Sequence, residues 1–208
     1  MVLFEADGLG KRFGKRVLFR NVSFTLGGGQ SLAVTGANGS GKSTLLRILA
    51  GVMTPTKGSV ALSLDGAAVA PEDRPLHVGF VAPYLNVYDD FTARENLRFL
   101  ARARRLEGAA ERIDAALALV GLADRADEWV KTYSSGMKQR VKYAAALLSE
   151  PPVLLLDEPA SNLDAAGLRM VERVTAHQQS RRGVLVVATN DAAEAARCER
   201  TVRIEDFR

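Results

Sequence analysis

The chain has 208 residues, 47% of them apolar and 25% charged, the span of one globular domain or of one domain with two lobes. That composition excludes disordered and fibrous chains; no run approaches the ~18 uncharged apolar residues of a membrane span; and the opening MVLFEADGLGKRFGKR lacks the basic-then-apolar pattern of a secretory leader, so secretion is not expected. The net charge of +4 sets 28 basic against 24 acidic residues, and the basic clusters (Lys11-Arg12, Lys15-Arg16, Arg102 to Arg105, Arg181-Arg182) lack interleaved aromatics, which reads as solvated surface and not as a nucleic-acid platform.

In chain order, the runs at 22–26 and 31–36 are β-branched, apolar and bounded by glycine, so both are predicted strands with a turn at Gly27-Gly28-Gly29. Leu45, Leu46, Ile48 and Leu49 then recur at helical spacing, with Gly51 as the stop. Residues 59–64 alternate as a strand, and 78–82 form an apolar run closed by Pro83. Thr92-Ala93-Arg94-Glu95 has the form of a capping box, opening a helix through Leu97, Leu100 and Ala103. Ile113, Leu117 and Val120 make a second helical stripe ending at Gly121, and 135–148 a third ending before Pro151-Pro152. The fully apolar runs 153–156 and 184–188 suit buried strands of a parallel sheet. Leu168, Val171 and Val174 mark the helix between them; Asp191 to Glu194 repeats the capping pattern, and 201–204 is a last short strand. The single cysteine, Cys198, has no partner for an internal disulfide and reads as a small residue on the C-terminal helix of a protein in a reducing compartment. Strands alternating with helices indicate an α/β core with a parallel sheet, and the strand-free stretch from about 92 to 150 reads as an inserted helical lobe.

The chemistry begins at Gly36-Ala37-Asn38-Gly39-Ser40-Gly41-Lys42-Ser43, followed by Thr44: G-x-x-x-x-G-K-S between a strand and a helix. Glycines let successive backbone N–H groups turn inward, making an anion nest at a helix N-terminus. Lys42 adds a charge for the β- and γ-phosphates, and the Ser43 hydroxyl can ligate Mg²⁺. Asp157 and Glu158 follow the apolar run 153–156, at the strand end where α/β proteins bind ligands. Asp157 suits a Mg²⁺ shell, and Glu158 can take a proton from an attacking water.

With these motifs, the sequence resembles the nucleotide-binding subunit of ATP-binding-cassette (ABC) transporters over essentially its whole length. Tyr133-Ser134-Ser135-Gly136-Met137-Lys138-Gln139-Arg140 is similar to the family signature LSGGQ-x-QR, and Ser134 lies 23 residues before Asp157. Ser161-Asn162-Leu163-Asp164 resembles the D-loop, and Phe13 stands where the family places an aromatic over adenine. The resemblance implies a P-loop NTPase (RecA-like) parallel-sheet core with an N-terminal antiparallel β part and an inserted helical lobe. One ABC-type domain would span 1–208, with 1–83 and 151–208 as the core lobe and 84–150 as the helical lobe. It implies ATP and Mg²⁺ as cofactors and catalytic roles for Glu158, Lys42 and Asn190. It also implies a second γ-phosphate site at Ser134, Ser135, Gly136 and Met137 acting in trans, with the Asp164 loop beside it. The implied partners are a second ATP-binding subunit and a membrane-spanning permease, not nucleic acid. The implied location is cytoplasmic, at the inner face of the cell membrane. The compact chain is similar to small exporter-type ATPases, including a heme-exporter-like group. Two other functions are a nucleotide-binding regulatory subunit with little hydrolysis, and a soluble ABC ATPase outside transport.

The sequence also departs from the family. Pro83 stands where the Q-loop glutamine is expected, Asn190 where the switch histidine is expected, and Ser135 replaces the first signature glycine. Tyr84, Leu85, Val87, Tyr88 and Phe91 are either a docking surface for a permease helix or packing within the helical lobe. His77 and His177 lack ligand-spaced partners, and Trp129 is expected to pack in the helical lobe.

Overall fold

The computed structural model describes residues 1–161 and 163–208. β1 (Val2–Phe13) and β2 (Arg16–Gly27) form a long hairpin, followed by β3 (Ser31–Thr35), α1 (Lys42–Leu49), β4 (Lys57–Leu64), β5 (Ala67–Ala68) and β6 (Val78–Val81). Three helices come next: α2 (Ala93–Ala103), α3 (Ala109–Leu119) and α4 (Ser135–Leu147). The chain then alternates through β7 (Val153–Asp157), α5 (Ala165–Ser180), β8 (Val184–Thr189), α6 (Ala192–Ala195) and β9 (Arg200–Arg203). An antiparallel sheet has the order β2-β1-β4-β5, and a parallel sheet the order β6-β7-β8-β3-β9.

The parallel sheet separates two apolar cores, which explains the unbroken apolar runs of its central strands. Along β7, Leu154 and Leu156 pack with α2, α3 and α4, while Val153 and Leu155 pack with α1 and the antiparallel sheet. β8 divides the same way, Leu185 and Val187 to one side and Val184, Val186 and Ala188 to the other. Successive side chains of a strand point to opposite faces, so a strand covered on both faces must be apolar at every position. Truncating one of these leucines to Ala would cost about 2–5 kcal/mol.

The helical stretch follows its local signals. Glu95 N–H donates to Thr92 Oγ1 at 3.0 Å and Thr92 N–H donates to Glu95 Oε2 at 2.8 Å, closing the capping box that starts α2. Buried Asn96, on the first turns of α2, accepts from Tyr88 N–H at 2.8 Å and donates to the Tyr88 carbonyl at 3.0 Å, fixing the segment that leads into the helix. Among the described residues, no strand lies between β6 and β7, and no helix is long and apolar enough to cross a membrane.

Several expectations need correction. β1, for which the sequence pattern predicts no strand, has no clean two-residue alternation because its pairing with β2 shifts register after Ala6, Leu9 and Lys11. Leu168 is 42% exposed: the inward stripe of α5 is Gly167, Met170, Val171, Val174 and Gln178. Trp129 is 50% exposed and lies under the Lys131 ammonium, 4.2 Å from the ring centroid, instead of packing in the helical core. Cys198 lies in the turn after the short α6, not on a helix, and burial pushes its thiol up to about 11. At Asp191 the capping is one-way: its carboxylate accepts from the N–H groups of Ala193 and Glu194.

Candidate functional site

The loop between β3 and α1 is built around positive backbone angles. Gly36 has φ +145° and Gly41 φ +119°, and at either position a Cβ would come within about 2.8–2.9 Å of a neighbour, Ser40 Oγ or Leu18 Cγ. No other residue fits at these two places. The loop therefore wraps Lys42, whose side chain is only 5% exposed and whose Nζ donates to the Gly36 carbonyl at 2.9 Å.

β7 delivers its two acids to this loop. Ser43 Oγ donates to Asp157 Oδ1 at 3.0 Å, and Lys42 Nζ stands 3.1 Å from Glu158 Oε1. Burial holds the Asp157 carboxyl above its ordinary range, against the Ser43 hydrogen bond, which lowers it. Glu158 adopts φ +49°, a left-handed conformation uncommon outside glycine, and its N–H donates to the Ala188 carbonyl at 2.8 Å. That turn is what points its side chain back toward Lys42 and not along the strand. Two hard oxygens, Ser43 Oγ and Asp157 Oδ1, thus meet beside the anion nest, a donor set that fits Mg²⁺ completed by phosphate oxygens and water.

A cavity of about 500 Å³ lies over the loop, walled by Phe13, Asn38, Lys42, Ser43, Thr44 and Glu158. Phe13, at the end of β1, is 51% exposed, with the Lys11 ammonium 5.2 Å from its ring centroid. Its open face suits a stacked base. Asn190, one residue past β8, reaches the loop as well: its Nδ2 donates to Asn38 Oδ1 at 3.3 Å. Pro83, two residues past β6, shares a different cavity with Glu158, of about 630 Å³.

The signature-like turn stands apart from the loop. Ser134 caps α4 by accepting from the Met137 N–H at 3.3 Å, and Ser135 lines the Pro83 cavity, not the one over Lys42. Asp164 caps α5, accepting from the Gly167 N–H at 2.7 Å, and Asn162 lies outside the described residues. Within the apolar segment 84–91, Tyr84, Tyr88 and Phe91 are on the surface, whereas Val87 packs against the helical core. Among the described residues, no group of three or more His, Cys, Asp or Glu side chains could hold a metal ion.

Sequence reasoning missed three contacts. Glu205, after β9, accepts from the Ala37 N–H of the loop at 2.8 Å. Arg16 and Leu18 of β2 also line the cavity over the loop. The Lys42–Glu158 pair joins two motifs that were read separately. None of these leaves a local signal, because each pairs residues distant in sequence.

Comparison with known proteins identifies the family. The family described as ABC transporter matches residues 19–161. The cytochrome c biogenesis ATP-binding export protein CcmA of Paramagnetospirillum magneticum is 36% identical over 90% of this chain and 87% of its own length. The aliphatic sulfonates import ATP-binding protein SsuB 2 of Pseudomonas aeruginosa is also 36% identical, over 96% of this chain and 70% of its own. Among solved structures, the dimeric post-hydrolysis state of the ATP-binding cassette MJ0796 bound to ADP and Pi superposes with a TM-score of 0.82 at 26% identity, covering 99% of this chain and 95% of that one. With the phosphate loop, the acid pair and the two-sheet fold in place, the chain belongs to the ABC transporter ATP-binding family.

Proposed function

We propose that the chain is the ATP-hydrolysing subunit of an ABC transporter, dimerising around two nucleotides to drive a membrane permease. One observation carries this reading: Lys42 and Ser43 of the loop face Glu158 and Asp157 of β7 across contacts of 3.1 and 3.0 Å. The loop amides from Gly36, Ala37, Asn38, Gly39, Ser40 and Gly41 to Thr44 bind the phosphates, Lys42 holds the β- and γ-phosphates, and Phe13 stacks on the adenine. Ser43 and Asp157 would hold Mg²⁺, which would neutralise phosphate charge when bound. The Glu158 carboxylate takes a proton from the attacking water while that oxygen bonds to the γ-phosphorus and the bond to the bridging oxygen breaks, releasing ADP. Asn190 supplies an N–H donor toward the γ-phosphate.

Ser134, Ser135, Gly136 and Met137 would close on the partner subunit's nucleotide, with the Asp164 loop at the seam, since within one chain none of the four lines the cavity over the loop and Ser135 lines a different one. The core lobe comprises 1–83 and 151–208, and the helical lobe 84–150. Between them runs an apolar groove of about 350 Å³, walled by Val52, Pro75, Phe80, Leu85, Val87 and Leu100, which suits a permease helix and sets the protein at the inner face of the cell membrane. Export is the proposed direction, by likeness to the cytochrome c biogenesis export relative; the sulfonate import relative is equally identical, at 36%.

The test uses Glu158→Gln, which keeps nucleotide binding but removes the base. Its kcat is expected to fall ~10²–10⁴-fold, and light scattering at saturating ATP with Mg²⁺ is expected to find a dimer. A monomer under those conditions would rule out the nucleotide sandwich for the isolated subunit.

A further inference from the structure

Besides packing in the helical core, α4 reaches the exits of two neighbouring strands through two consecutive side chains. Lys142 Nζ donates to the Pro83 carbonyl at 3.0 Å, and the Tyr143 hydroxyl donates to the Pro159 carbonyl at 3.3 Å. Pro83 lies two residues past β6 and Pro159 two residues past β7, so one turn of α4 holds the exits of two paired parallel strands. Neighbouring residues of a helix diverge by about 100°, which is why adjacent positions can address two different strands. Proline offers neither an N–H nor a polar side chain, so at Pro83 the carbonyl is the one group left to bond.

The two anchors differ in setting: the Tyr143 bond is buried, whereas the Lys142 bond to Pro83 lies at the surface. Tyr143 is fully buried, and burial pushes its ionisation far up, so the hydroxyl remains a neutral donor. Burial also lowers the Lys142 pKa, and no carboxylate pairs with it among the described residues. Ser135, Lys138, Gln139 and Lys142 fall on one face of α4 and, with Pro83 and Glu158, wall the 630 Å³ cavity. On the same face Lys138 Nζ pairs with Asp89 Oδ2 at 2.7 Å. The helix that begins at the signature-like turn is thereby fastened to the residue beside Glu158 and to the segment where the Q-loop glutamine is missing.

We propose that Lys142 and Tyr143 are positioning residues: they fix α4, and with it the turn at 134–137, on the strand exits that carry Pro83 and Glu158. Lobe geometry set by backbone carbonyls takes the place of a side chain at position 83. The catalytic consequence rests on the subunit reading above; the mechanical one does not.

The experiment measures both. Nitroxide labels at Arg102→Cys on α2 and Arg20→Cys on β2, in a Cys198→Ser background, report the distance between lobes by double electron–electron resonance. Lys142→Met is expected to widen the distribution, Lys142→Arg to restore it, and Tyr143→Phe to widen it less. In unlabelled protein, ATP affinity should stay within about two-fold, while kcat falls about ten-fold for Lys142→Met and about five-fold for Tyr143→Phe, as suits a charged and a neutral hydrogen bond. Wild-type width in both variants overturns the proposal, and so does a widened distribution with unchanged kcat. A wild-type protein that neither binds nor hydrolyses ATP overturns the subunit reading alone, since the distances still decide the anchoring. If Tyr143→Phe fails to fold, the Lys142 variants decide it.

Discussion

On the phosphate side of the site, Lys42, Ser43 and Asp157 are each held by close hydrogen bonds, with Asp157 2% and Lys42 5% exposed. On the water side, at the exits of β6 and β8, Pro83 and Asn190 are exposed; the first offers only a carbonyl and the second reaches Asn38 at 3.3 Å. In the proposed mechanism both sides serve the same phosphate, yet only the first is preorganised by burial. Buried hydrogen bonds in a low dielectric hold their geometry, whereas exposed ones compete with water. Affinity and alignment are therefore separable here, and substitutions on the two sides should fall on different kinetic constants.

The largest effect is expected on the phosphate side. Lys42→Ala removes the ammonium that bonds Gly36 and pairs with Glu158, and leaves the Glu158 carboxylate facing the phosphates without its counter-charge. Two lost charged contacts of ~1.5–3 kcal/mol each correspond to roughly a 100-fold or greater loss of ATP affinity. Fluorescent-nucleotide titration measures it, and an unchanged affinity would sink the phosphate-loop assignment. The protein should remain folded, because the glycine geometry of the loop does not depend on the lysine.

That loop was legible in the sequence because its constraints are local. Gly36 and Gly41 are required by backbone angle and close approach, and the order strand, loop, helix is written in adjacent residues. The runs at β7 and β8 were legible for a similar reason, since burial on both faces dictates an apolar residue at every position. β1 was not, because its bulges scramble the period that identifies a strand. Nor were Glu205 on the loop, Glu158 on Lys42 or Lys142 on Pro83, pairings that only the closed tertiary structure creates. Trp129 shows the opposite error: a large aromatic among helices suggests core, but this one lies outside, under Lys131.

A smaller effect, of opposite sign, is expected on the water side. Asn190→His returns a longer N–H donor to a position already in contact with the loop, and Pro83→Gln returns a side-chain amide beside the Glu158 cavity. A better-placed donor to developing charge stabilises the transition state more than the ground state. Steady-state kinetics should show kcat raised about three- to ten-fold for Asn190→His, with KM nearly unchanged and Pro83→Gln adding to it. A kcat unchanged or lowered by both would mean that the water side is already organised around asparagine, and the contrast between the two sides would collapse.

The smallest effect tests whether the phosphate side is as self-sufficient as its burial suggests. Glu205 lies outside the glycine loop, yet its Oε1 accepts from the Ala37 N–H at 2.8 Å and its Oε2 from Arg203 Nε at 2.8 Å. These bonds, the Ala37 N–H foremost, hold its carboxyl below the ordinary range. With the folded pKa lowered, the interaction is complete above the unfolded value of about 4.3 and is lost only as pH falls through the folded one, so activity near neutrality should not report it. Glu205→Ala deletes the acceptor, but water can satisfy the freed N–H, and ATP affinity should weaken by only about two- to three-fold with kcat intact. Glu205→Gln keeps a carbonyl oxygen in reach of Ala37 and should recover most of the loss. The competing effect is repulsion between the carboxylate and the bound phosphates, which would make both variants bind more tightly, and less so as salt rises. Titrating both variants at low and high ionic strength separates the two. A salt-independent weakening in Glu205→Ala alone means that the loop needs this outside support, whereas a salt-sensitive tightening in both means that its glycines hold it unaided.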